Sequence, residues 1–227
     1  MKRAIDPREL TRALPYGAGD VRRTLGVEAA TRRLLLGGIM PLWLGAGLAD
    51  WYRHRRTRIE TTAGPRESAI HLLMMTETGI PVMLGLFCEI NAGVLLTSFT
   101  ALGAHSATAY WDQTYAEPRR RVTPVEQHLH SLLEVVPLMA TGSLVALHWD
   151  QARTLLGKNR HERRFALRPK RRDPLPTSTK IGLLAALAVF GALPYCEELW
   201  RCLRARRTFA PLPEPREPAT ETLRVPD

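Results

Sequence analysis

The stretch VTPVEQHLHSLLEVVPLM, residues 122–139, carries two signals that ordinarily exclude each other. Its apolar positions run on through LMATGSLVALHW to residue 149, giving a segment that can cross a bilayer as a helix at about 1.5 Å per residue. Its first turns nevertheless bring Glu126, His128, His130 and Glu134. Thr123, Pro124 and Glu126 stand at the N-cap, N1 and N3 positions of a capping box, so Glu126 has a local role in starting the helix. Capping does not reach His130 and Glu134. They follow Glu126 at i+4 and i+8 and share its face within an arc of roughly 80°.

Outward from this stretch, residues 34–51 have no charge before Asp50, and residues 179–196 carry only Lys180. Each approaches the roughly 20 residues that a helix needs to cross the hydrocarbon core. The apolar block at 68–112 is too long for one crossing, and Glu89-Ile90-Asn91-Ala92-Gly93 divides it at a tight turn. Five spans result, all helical, because a helix satisfies its own backbone hydrogen bonds in lipid. The predicted fold class is all-α: a polytopic membrane protein of about five transmembrane helices with a four-helix core bundle. Its parts are a basic polar leader at 1–33 with an interfacial helix around Val21–Arg33, the membrane core at 34–149, a basic loop at 150–176, a fifth membrane helix at 177–205, and a Pro-rich disordered tail at 206–227. The expected location is the bacterial inner membrane, as a multi-pass protein.

The bulk composition hides this pattern. Over 227 residues the hydrophobic fraction is 45% and the mean hydropathy is −0.16, values typical of soluble proteins, because Lys and Arg cluster in the leader, the connectors and the tail. The net charge of +10 lies beside the spans, where basic residues meet anionic head groups, so membrane lipids and not nucleic acid are the expected partners. The Lys and Arg count ties between the two sides and leaves orientation open. Cys88, Cys196 and Cys202 have no metal-type spacing and suggest no disulfide framework.

An ionisable side chain inside a span costs about 2.5–3.5 kcal/mol at the centre on insertion scales, so each needs a reason. Asp50 and His54 close the first span, and Glu67 and His71 open the second, with Glu77 further in. His105 and Asp112 close the third, while Glu126, His130 and Glu134 open the fourth. Because the spans alternate in direction, all these ends fall on one side of the membrane. The strongest metal-ligand candidates are Glu77, His105, Glu126, His130 and Glu134, with His71, Asp50, His54 and Asp112 as outer or additional ligands. Glu67, two residues after Pro65, reads as a helix-start residue. Pro81 and Pro137, shortly after Glu77 and Glu134, predict bent helices around a pocket. Carboxylates and imidazoles without thiolate suit a divalent metal, Fe first, then Mn or Zn.

At these residues, over about 46–137, the chain resembles integral-membrane metal-dependent oxidases of the di-iron type, in which helices project Glu, Asp and His inward. It lacks the repeated Glu-x-x-His signature, since Glu126 and His130 are four apart, and it lacks HxxxH and HxxHH boxes. The resemblance implies oxidoreductase chemistry on a hydrophobic or lipid-like substrate reaching the site sideways from the membrane. Two other functions fit the same residues: an ion, metal or proton transporter, with Glu89 near the far turn, and a non-catalytic scaffold or assembly factor whose basic 153–172 loop docks a protein partner.

Overall fold

The computed structural model describes residues 18–157, 165–171 and 175–208. The expected tail disorder and the middle of the basic loop lie outside the described residues. Helix α1 (Ala18–Leu34) continues through a π-helical stretch, Leu35–Ile39, into α2 (Met40–Thr57), so the segment around Val21–Arg33 is helical and continuous with the first apolar rod. A 3-10 turn, Ile59–Thr61, leads to α3 (Gly64–Phe87), followed by α4 (Ala92–Ala116), α5 (Pro124–Leu147) and the short α6 (Trp149–Leu155). Helix α7 (Thr177–Ala186) passes through a second π-helical stretch, Leu187–Ala192, into α8 (Leu193–Thr208). No strand is formed among the described residues.

Four helical rods are long and apolar enough to cross a membrane: Gly26–Thr57, Gly64–Phe87, Pro124–Leu147 and Thr177–Arg206. This fits an integral membrane protein. The remaining long helix, α4, has 25 residues and is equally able to span by length. Its Thr97, Ser98, Thr100, Ser106 and Thr108 dilute the apolar run. Hydroxyls of this kind are absorbed within the helices, as Ser98 Oγ donates to the Val94 carbonyl at 2.9 Å and Thr78 Oγ1 to that of Met74 at 3.1 Å.

The long helices form a closed ring in which α3 packs on α4, α4 on α5, α5 on α2, α2 on α8, and α8 back on α3. The last span thus joins the bundle and completes its wall. Polarity runs opposite to that of a soluble domain. Leu42, Ile80, Met83, Phe99, Leu138 and Phe190 face outward, while Asp50, His54, Glu67, His71, Asp112, Glu126 and Glu198 are buried. An apolar exterior around ionisable groups is what a lipid surround selects.

Local sequence explains the joints. Asn91 caps α4 by accepting from Val94 N at 3.0 Å. Thr123 accepts from Glu126 N at 3.4 Å, and Glu126 Oε2 accepts from Thr123 N at 3.5 Å, so the capping box read from the sequence is formed. Pro81 and Pro137 lie within α3 and α5 without ending them. At the α3–α4 turn, residues 165–171 of the basic loop pack as a strap. Glu89 N donates to Arg168 O at 2.8 Å, Lys170 N to Phe87 O at 2.9 Å, and Asn91 Nδ2 to Ala166 O at 2.7 Å.

The strap passes so near α4 that a Cβ on Gly93 would stand 2.7 Å from the Phe165 carbonyl oxygen. Gly93→Ala is therefore expected to lower stability by about 1–3 kcal/mol, the usual cost of overpacking against backbone. Denaturation in detergent with an unchanged midpoint would refute this close approach.

Candidate metal centre

The i, i+4 pairs Asp50/His54 on α2 and Glu67/His71 on α3 project toward each other where these helices meet the turn between them. The two imidazoles lie nearly parallel, with centroids 4.6 Å apart and planes inclined by 10°. One carboxylate from α8 holds both. Glu198 Oε2 is 2.9 Å from His54 Nδ1, and its Oε1 is 2.9 Å from His71 Nδ1. An ionised carboxylate only accepts, so it draws the Nδ1–H tautomer in both rings and leaves each Nε2 as a lone pair.

Carboxylates surround those nitrogens. His54 Nε2 is 3.2 Å from Glu126 Oε1 and 3.5 Å from Asp50 Oδ1. His71 Nε2 is 3.3 Å from Asp112 Oδ1 and 3.8 Å from Glu67 Oε1. His130 on α5 brings its Nε2 to 3.2 Å from Asp50 Oδ1. Several of these atoms are close without being hydrogen-bonded: Asp50 Oδ1, His71 Nε2, Asp112 Oδ1 and Glu126 Oε1 are buried and have no such partner. The distances describe proximity without hydrogen-bond geometry. Two donors each about 2.1 Å from one ion, at 90–109°, stand about 3.0–3.4 Å apart, which matches most of these separations. Ligand atoms of Asp50, His54, Glu126 and His130 all lie within 4.8 Å of one another, and so do those of His54, Glu67 and His71. This buried group could hold a metal ion. Without metal the same nitrogens can instead bind protons and pair with the carboxylates.

Arg120, between α4 and α5, faces the cluster. Its Nη1 is 2.5 Å from Glu126 Oε1, its Nε is 2.8 Å from Glu67 Oε1, and its Nη2 also bonds Glu67 and stands 3.5 Å from His54 Nε2. Burial opposes its charge, but the hydrogen bond and charge of Glu67, joined by Glu126, outweigh burial and raise its pKa above the ordinary arginine value. Glu126 therefore has two roles: Oε2 caps α5 while Oε1 faces His54 and Arg120.

Placement of α8 follows from its packing. Trp51 Nε1 donates to Glu197 at 2.9 Å, and Arg201 pairs with Glu197 and Glu60, tying the outer side of the helix to α2 and the 3-10 turn. On the inner side Cys202 packs with Ile59 and Ala63. Tyr195 donates to the Gly47 carbonyl at 3.2 Å, where the missing side chain lets the ring approach.

The structure thus brings together Asp50, His54, His71, Asp112, Glu126 and His130 from the sequence-derived set. It adds Glu67, Glu198 and Arg120. Glu77, His105 and Glu134 lie deeper. Glu77 Oε1 accepts from Thr108 at 2.8 Å, and its Oε2 is 3.9 Å from His105 Nδ1. His105 and Glu134 line a small cavity of about 50 Å³ beneath the cluster, together with Asp50, His71, Asp112 and His130. His128 faces outward. Glu198 escaped detection because it lies just past the apolar window 179–196, although within the helix expected at 177–205, and Arg120 because it stands in a run of three arginines; the acidic pair Glu197-Glu198 beside that window was the available signal.

Comparison with protein-family models, curated proteins and solved structures gives no match to this chain.

Proposed function

We propose that the protein is an integral-membrane metalloenzyme holding two divalent ions at one end of its helical bundle, with redox chemistry on a hydrophobic, lipid-like substrate. The observation that carries this reading is the single Glu198 carboxylate spanning both stacked imidazoles. A carboxylate on the far nitrogen of a metal-ligating histidine fixes its tautomer and orientation. Here one group serves two histidines, whose Nε2 atoms each face a separate pair of carboxylates.

Charge supports the number two. Among the described residues, five buried carboxylates, Asp50, Glu67, Asp112, Glu126 and Glu198, against Arg120 as the one buried cation leave four negative charges with neutral imidazoles. Two divalent ions balance them, and buried charge without compensation is strongly unfavourable. His54 with Asp50, Glu126 and His130 would hold one ion, and His71 with Glu67 and Asp112 the other. Oxygen and imidazole donors without thiolate favour Fe or Mn, with Zn as the non-redox alternative. The location that goes with this reading is the bacterial inner membrane, since a helical bundle is not the barrel architecture of outer membranes.

Ion transport requires a polar path to the other face. Glu77 and Glu89 line the same internal cavity, but Pro81, Val82 and Leu86 lie between them on its wall, which supports an apolar occupant.

Elemental analysis of the purified protein tests the reading. About two Fe or Mn ions per chain are expected in the wild type, with most lost in His71→Ala and most kept in Glu134→Gln. Only trace metal in protein produced with Fe, Mn and Zn supplied would sink the proposal.

A further inference from the structure

A cavity of about 640 Å³ lies inside the ring of helices and belongs to none of the cluster described above. Its volume is that of a ligand pocket, typically about 300–1,000 Å³. It begins at Trp43 and Thr78, which also line the small cavity beneath the metal centre, and extends away toward the opposite end of the bundle. From Trp43 back to Arg32 the helix rises about 16 Å, while Asp50 stands about 10 Å from Trp43 in the other direction.

The wall is made by inward faces. Leu86, Val136 and Thr141 are buried and line it, whereas Met83 and Leu138 on the same helices point outward. Pro81 and Pro137 both lie on the wall, at the places where α3 and α5 depart from regular hydrogen bonding. The first π-helical stretch contributes Leu35, Leu36 and Ile39. Ionisable groups gather at the far mouth, the Glu28–Arg32 pair (2.6 Å), Glu89, His148 and Lys170, while Glu77, beside Thr78 at the other end, accepts from the Thr108 hydroxyl at 2.8 Å, and the Ser98 and Thr78 hydroxyls on the wall bond within their own helices. Burial, with Lys170 and Arg32 nearby, lowers the His148 pKa against the pull of Glu28.

An apolar tube with a polar mouth at one end and a metal centre at the other selects an orientation. We propose that this cavity binds a single-chain amphiphile, its polar head at the membrane face opposite the metal cluster and its apolar end against Trp43 and Thr78. What happens at that end rests on the metal-centre reading. The small cavity beyond, with room for roughly three waters or a few methylenes, places the chain terminus and not the head group beside the metal ligands. The substrate then enters lengthwise from the far face, not sideways at the level of the metals.

Bromine quenches tryptophan fluorescence only near contact, so Trp43 is a built-in reporter. The probes are two saturated fatty acids, one brominated at the terminal carbon and one next to the carboxylate, added to protein in which Trp51, Trp111, Trp149 and Trp200 are phenylalanine. The terminal bromide is expected to quench Trp43 several-fold more strongly, and Ala101→Phe, on the cavity wall, is expected to remove the difference. If that quadruple variant does not fold, the component of wild-type quenching lost in Trp43→Phe gives the same reading. Equal quenching by both probes, stronger quenching by the head-adjacent bromide, or none, overturns the proposal. Metal analysis of the same sample separates the two readings: selective quenching without metal refutes the metal centre alone, and bound metal without selective quenching refutes the cavity assignment alone.

Discussion

Glu198→Ala is expected to weaken metal retention by about 100-fold, the upper end of the roughly 10–100-fold typical for removing a group that orients a metal ligand. The expectation lies at that end because one carboxylate orients two histidines. Without it His54 and His71 each lose a 2.9 Å partner at Nδ1, and both rings gain freedom to turn or change tautomer. Glu198→Gln is expected to fall between. Its amide oxygen still accepts from one ring, while its NH2 group confronts the N–H of the other. Competition with a chelator of known affinity measures the effect, and thermal unfolding with excess chelator separates loss of metal from loss of fold. Unchanged retention in Glu198→Ala would refute the role of this residue and remove the main support for two ions.

Arg120→Leu is expected to cost about 3–5 kcal/mol of stability in metal-free protein. Glu67 and Glu126 are fully buried, and Arg120 hydrogen-bonds the first and forms an ion pair with the second. Truncating one side of a buried ion pair leaves charge with no compensation, which is the costly case. Adding Glu67→Gln to Arg120→Leu is expected to recover part of the loss, since the stranded charge is then removed. Saturating divalent metal is expected to raise the unfolding temperature of Arg120→Leu more than that of the wild type, because a more negative site gains more from an added cation. A loss below about 1 kcal/mol would mean that Arg120 behaves as a solvated surface pair.

These residues also mark how far the sequence could be read. The spacing of Asp50 and His54, of Glu67 and His71, and of Glu126 and His130 places each pair on one helix face, because the 3.6-residue repeat acts within a single helix. Alternation of the spans brings those ends to one side. The start of α5 was legible in Thr123-Pro124-Val125-Glu126 for the same local reason.

Rank within the candidate set was not legible. Depth along the helices placed Glu77, His105 and Glu134 near His130, but depth does not fix the direction a side chain takes around the ring. His105 and Glu134 line the small cavity, and Glu77 bonds Thr108, while the outer residues Asp50, His54, His71 and Asp112 converge.

Arg119, Arg120 and Arg121 illustrate the limit within three residues. In sequence they are one basic run beside a span. In the structure Arg119 stacks on Tyr115 at 3.8 Å, Arg121 is exposed, and Arg120 turns inward between two glutamates. Glu197 and Glu198 diverge in the same way, about 100° apart on one helix, the first bound to Trp51 and Arg201 and the second to two histidines.

The sequence by itself determined the helices, their apolar lengths, the end of the bundle where ionisable residues collect, and the absence of thiolate among them, because each depends on composition and periodicity along one segment. Only the tertiary structure decided that α8 closes the ring, that Glu198 joins His54 to His71, and that a separate cavity runs to the opposite face. Those depend on how helices are rotated against one another, through contacts such as Tyr195 on Gly47 and Cys202 on Ile59, between residues far apart in the chain.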